Sequence, residues 1–73
     1  MARLGKISGK EAAQAFKKAG WEPIGQVGRH LIMTKTDIKV NLPISQHKKL
    51  SIGTLRALIP NANLTVEEFL NLL

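Results

Sequence analysis

Cysteine is absent from the 73 residues. Without a thiol there is no disulfide framework and no thiolate metal site, which suits a reducing compartment. Long apolar runs are absent as well. None approaches the roughly 20 residues that a membrane span needs, and the opening Met1-Ala2-Arg3-Leu4-Gly5-Lys6 has no apolar signal core. A soluble, cytoplasmic protein is expected. Two histidines and five scattered carboxylates offer no metal-ligand cluster. No glycine loop leads into Lys-Ser/Thr to cradle a phosphate, and no serine pairs convincingly with a histidine and a carboxylate. No cofactor and no metal are therefore expected. Aromatic residues are few, and Trp21 and Phe16 read as core or boundary packing rather than as exposed platforms for stacking bases.

What the chain has is positive charge. Eleven Lys/Arg stand against five Asp/Glu, a formal +6. All eleven basic residues lie at or before Arg56, with only Glu11, Glu22 and Asp37 to oppose them; after it the only charges are Glu67 and Glu68. A field biased this way suits nucleic acid, or an acidic protein that mimics it. The length sets one domain, residues 1–73. At this size folding buries only about 60 % of the unfolded chain's surface, so stability is modest and partners matter.

The order of elements follows from local signals. Ser8-Gly9-Lys10-Glu11 is a capping box. Behind it Ala12, Ala15, Phe16 and Ala19 recur at helical spacing, with Lys10, Gln14, Lys17 and Lys18 on the other side. Gly20 ends this first helix, and its alanines allow a close approach to a sheet. Residues 21–27 read as a strand, at an edge or with Pro23 near its start, because proline removes a ladder donor. Gly25 and Gly28 bracket a turn into a second strand over 29–35, and Thr36-Asp37 turns into a third over 38–42. There Ile38, Val40 and Leu42 alternate with Lys39 and Asn41, and Pro43 stops it. Residues 44–50, with His47, Lys48 and Lys49, are expected as an exposed loop. A second helix starts near Ser51 and runs through Leu55, Leu58 and Ile59 until Pro60 breaks it. Asn61-Ala62-Asn63 is a turn, and Thr65-Val66-Glu67-Glu68 is a second capping box opening a short last helix.

Between the first two strands lies Gly28-Arg29-His30, with one of the two histidines. By composition alone, a lone histidine at a strand start is more often structural than catalytic. Gly28 serves either as a turn residue of positive φ or as a point of backbone approach to a phosphate, and the two are compatible. For Arg29, phosphate contact is favoured over a structural salt bridge.

Four landmarks together resemble the HicA family, the small toxins of HicA–HicB toxin–antitoxin pairs. They are Ser8-Gly9-Lys10-Glu11, Ala19-Gly20-Trp21, Gly28-Arg29-His30 and Gly53-Thr54-Leu55-Arg56, and Thr65-Val66-Glu67-Glu68-Phe69-Leu70 is similar to the family's ending. The likeness covers about residues 7–73. It implies an α+β fold like a double-stranded-RNA-binding domain, α-β-β-β-α. A three-stranded antiparallel sheet would carry helices on one face, with a short extra C-terminal helix. It implies cleavage of messenger RNA, and a HicB-like antitoxin that covers the active site. The functional Gly and His of the family's Gly-Ser-His pattern fall on Gly28 and His30. The chain departs from that pattern in having Arg29 for the serine and Gly25 where a basic residue often precedes. Ser45 stands near the place of a family histidine that follows the proline, and His47 comes slightly later.

The chemistry that the resemblance implies is consistent with these residues. RNA carries its own nucleophile, the 2′-hydroxyl, so cleavage needs a base for that proton, an acid for the leaving 5′-oxygen and cations for the phosphate. Histidine, with an ordinary pKa of about 6.5, offers both forms near neutrality. His30 is thus the expected general acid/base of a metal-independent endoribonuclease. Gly28 and Arg29 lie beside the phosphate, while Lys10, Lys17, Lys18, Lys35, Lys39, Lys48 and Lys49 form a diffuse RNA footprint. The second catalytic group stays open between His47 and a nearby lysine. The alternatives are a non-catalytic double-stranded-RNA-binding module and a protein-interaction module whose basic face meets an acidic partner.

Overall fold

The computed structural model describes residues 4–73. What was read from Met1, Ala2 and Arg3, part of the stretch expected to have no apolar signal core and one basic charge, lies outside the described residues. Helix α1 spans Gly9–Lys18 and starts as its capping box predicts. Ser8 Oγ accepts from the Glu11 N–H and the Ser8 N–H donates to Glu11 Oε1, each at 3.0 Å. Ala12, Ala13, Ala15 and Phe16 are buried, and Lys10, Gln14, Lys17 and Lys18 are exposed. Ala19 caps the helix and Gly20, at φ +99°, turns the chain out of it.

Three antiparallel strands follow: β1 (Glu22–Val27), β2 (His30–Lys35) and β3 (Ile38–Ser45), paired in the order β1-β2-β3. Helices α2 (Ile52–Asn61) and α3 (Val66–Leu72) complete the chain. The α-β-β-β-α order with an added C-terminal helix is thus the one expected. Helices α1 and α2 pack on β3, and α3 packs against both. The sheet meets them with Met33, Leu42 and Ile44, which are fully buried together with Phe16, Trp21, Leu55, Ile59 and Phe69. The Phe16 and Phe69 rings lie 5.1 Å apart, tilted by 43°, a favoured aromatic arrangement that joins the first helix to the last. Burying these side chains, each worth about 1.5–3 kcal/mol, is the main favourable term in so small a core.

Several boundaries differ from the sequence-based expectation. Pro43 does not stop the third strand, which runs on through Ser45. As an edge strand, β3 can hold a proline wherever the missing N–H would have faced outward. Residues 44–50 are accordingly not one exposed loop: Ile44 and Leu50 are buried, while His47, Lys48 and Lys49 are exposed. Gly25 does not border a turn; it lies inside β1 opposite Ile32, just past a register shift after Pro23. Arg29 belongs to the turn rather than to β2. Val40 is exposed despite its alternation with Leu42, because β3 changes register between its pairings with Met33 and Lys35. Pro60 sits inside α2 as its next-to-last residue, so the helix ends after it, with the Ala62 N–H closing the last turn.

Candidate functional site

The site begins with which face of the sheet each side chain takes. Directly opposed residues of an antiparallel sheet project to the same face, and the face alternates along each strand. Met33 pairs with Leu42, and Leu31 with Ile44, toward the helices. His30 therefore projects from the other, uncovered face. It sits on the central strand in a row formed by Val27, His30 and Ser45. The next row on that face is Gly25, Ile32 and Pro43. Val27 is 70 % exposed, His30 is exposed, and a side chain at Gly25 would meet nothing within 4 Å. The histidine thus stands at the end of an open, shallow surface.

The turn before it is fixed by its own residues. Val27 pairs with His30, leaving Gly28 and Arg29 as a two-residue hairpin loop. Gly28 has φ +59°, a backbone conformation that costs a side-chain-bearing residue and suits glycine. Gln26 Nε2 donates to the Gly28 carbonyl at 3.1 Å. The Arg29 carbonyl accepts from the Gln46 N–H at 2.7 Å, so its exposed side chain springs from a held backbone.

The segment after β3 is strapped to the same end of the molecule. The Gly9 N–H donates to the His47 carbonyl at 2.9 Å, and the Leu50 N–H to the Ile7 carbonyl at 2.7 Å. The approach is close: a Cβ on Gly9 would lie 2.8 Å from Gln46 Cα and collide with the Ser45 carbonyl oxygen. This glycine lets the start of α1 lie on the strap. Lys10 at the helix start and His47, Lys48 and Lys49 on the strap are exposed at the His30 end.

Not all the expected residues gather there. Lys35 ends β2 five residues beyond His30, roughly 16 Å along an extended strand, and its aliphatic chain lies against Gly20, 3.2 Å from where a Cβ would be. Lys39 follows the Thr36-Asp37 turn at that far end, and Lys17 and Lys18 close α1. The basic surface therefore has two parts, one around His30 and one around the β2–β3 turn. Sequence reasoning missed Ser45 as a neighbour of His30, because only the strand register brings them together. Among the described residues no three His, Cys, Asp or Glu side chains are grouped so that they could hold a metal ion, and no helix is long and apolar enough to cross a membrane.

Fold and site together define a class: a small α+β domain whose helices cover one sheet face and whose other face ends in an exposed histidine within a basic region. The family model described as "HicA toxin of bacterial toxin-antitoxin" matches residues 9–64. The chain belongs to the HicA toxin family, and membership implies an antitoxin partner. No curated protein matches it, and no solved structure does.

Proposed function

We propose that the chain, as one toxin domain over residues 1–73, is an endoribonuclease acting on messenger RNA in the cytoplasm and restrained by a HicB-like antitoxin. The observation that carries this reading is the exposed imidazole of His30 on the uncovered sheet face, directly after the Gly28-Arg29 turn. An RNA strand laid across that face brings a 2′-hydroxyl to His30. The imidazole takes its proton, the 2′-oxygen attacks phosphorus, and the bond to the 5′-oxygen breaks; the imidazolium returns the proton to that oxygen, leaving a cyclic phosphate and a 5′-hydroxyl. Arg29 and the backbone at Gly28 hold the phosphate, with Lys10, Lys48 and Lys49 adding positive potential. The scheme calls on no resident metal or cofactor. An acidic antitoxin laid over the same basic region would block RNA by competing for it.

The experiment is induced expression of the wild type and His30→Ala, with growth and intact-RNA analysis of both cultures. Arrest and loss of messenger RNA in the wild type alone is expected. Equal growth and intact RNA in both, with both proteins folded, would overturn the ribonuclease reading. The second reading, a non-catalytic double-stranded-RNA-binding module, draws on Lys17, Lys18, Lys35 and Lys39 at the far end. It requires RNA binding by a wild-type protein that leaves the RNA uncut.

A further inference from the structure

We propose that Gly25, Ile32 and Pro43 form a platform for one unpaired nucleobase, so that the RNA is single-stranded where it is cut. The inference rests on the ribonuclease reading, which puts the scissile phosphate at His30. The three residues are opposed across the sheet. They share the uncovered face with His30, which stands two residues before Ile32 on the same strand. Glycine inside a strand costs stability, and it often marks a place where a ligand comes close to the backbone. Nothing within the protein accounts for Gly25. Its φ is not positive, so the register shift beside it is not the bulge that needs glycine in a left-handed conformation. A Cβ there would meet nothing within 4 Å. The gap is open space on the outer face, beside half-buried Ile32 and, across it, exposed Pro43.

Dimensions and charges fit one base. Strands lie about 4.8 Å apart, so the row is about 10 Å wide from Gly25 to Pro43, and it stands about 7 Å along β2 from His30. None of the three has a polar side chain, so the row offers a flat base an apolar surface and its edge no hydrogen bond. Contact of that kind tolerates any base. Arg29, Lys10, Lys48 and Lys49 hold positive charge at the His30 end. One row beyond the platform stands Glu22, opposed to Thr34, and its carboxylate repels a further phosphate or an acidic peptide strand. A nucleotide with its phosphate at His30 and its base toward Glu22 matches this polarity. Bases inside a duplex are stacked on their neighbours, whereas those of single strands can be splayed out, so double-stranded RNA leaves the platform empty.

The test is methyl NMR of Ile32 and Val27 in the wild-type protein. The probe is a short single-stranded 2′-O-methyl oligoribonucleotide, which has no free 2′-hydroxyl and is not cut. It is expected to move the Ile32 and Val27 methyl signals upfield through the ring current of a bound base. An abasic chain of the same length, or a duplex, is expected to leave them in place. Gly25→Val fills the gap with a residue that strands favour, so Tm is expected to be kept or raised. Its affinity for the single strand is expected to fall about fivefold or more, the lower range of what one stacked base contributes, with affinity for the abasic chain unchanged. Absence of the upfield shift in the wild type overturns the proposal, whether or not Gly25→Val folds. An equal shift with the duplex overturns it, as does an equal loss of affinity for the abasic chain. Shifts caused by a poly-glutamate peptide and not by the single strand overturn it in favour of a protein partner. Because the shifts are read without cleavage, these results are distinct from the failure of the ribonuclease reading, which is seen when His30→Ala cleaves like the wild type.

Discussion

Gly9→Ala is the substitution on which the placement of the first helix can be tested most sharply. Alanine is the better helix former by up to about 1 kcal/mol in a helix interior, and it restricts the unfolded chain by a similar or smaller amount. On local grounds alone the change would stabilise α1. The tertiary contact opposes it. The new Cβ would stand 2.8 Å from Gln46 Cα and from the Ser45 carbonyl carbon, and closer still to the Ser45 oxygen. Carbon atoms pack comfortably at about 3.5–4.0 Å, so helix and strap must part by something near 1 Å. These neighbours are backbone atoms, which cannot swing aside as a side chain would. Overpacking of this kind costs about 1–3 kcal/mol and at times more. The separation also stretches the Gly9 N–H bond to the His47 carbonyl, worth about 1 kcal/mol. The expected net loss is about 2–3 kcal/mol, a large share of the stability of a domain this small. Thermal unfolding followed by the fluorescence of Trp21, the single tryptophan, should show Tm lowered by about 10–20 °C. A Tm equal to or above the wild-type value would refute the close contact, and with it the anchoring of the strap to α1.

Thr65→Ala removes the second capping box, in which Thr65 Oγ1 accepts from the Glu68 N–H at 3.1 Å and Glu68 Oε1 accepts from the Thr65 N–H at 2.8 Å. A loss of about 1 kcal/mol is expected, seen in the urea midpoint with an unchanged m-value. For RNA binding by a cleavage-silent His30→Ala protein, Lys48→Ala with Lys49→Ala should weaken affinity and flatten its salt dependence more than Lys35→Ala with Lys39→Ala. The check is a salt titration of binding, in which each lost phosphate contact lowers the slope by about one.

The parts of the fold legible in the sequence are those decided within one helical turn or one hairpin loop. Both capping boxes formed because Ser8 and Glu11, and likewise Thr65 and Glu68, need only each other's backbone. The Thr36-Asp37 turn was legible for the same reason; Asp37 adopts φ +70°, which aspartate tolerates better than most residues. The end of the third strand was not legible. Whether Pro43 ends a strand depends on which side of it is paired, a property of sheet order and not of the tripeptide around it. Gly25 carried a turn signal but was placed inside β1, where its missing side chain opens the sheet face beside Ile32.

The candidate site divides along the same line. The Gly28-Arg29-His30 hairpin could be read from adjacent residues, but its surroundings are set by register and by the strap. Two bonds draw residues distant in sequence to it, from the Gln46 N–H to Arg29 and from the Gly9 N–H to His47. They explain why Lys10, Lys48 and Lys49 share an end of the molecule with His30, while Lys35, on the same strand as His30, does not. They also give Gly9 its importance, which helix propensity would have counted against it. With α1 and α2 packed on one face of the sheet and α3 against those two helices, the central strand keeps its other face free. A reactive side chain placed there is held by a ladder bonded on both sides and is still open to a long polyanion. On the ribonuclease reading proposed above, a rigid, uncovered sheet face would serve this small domain in place of a pocket.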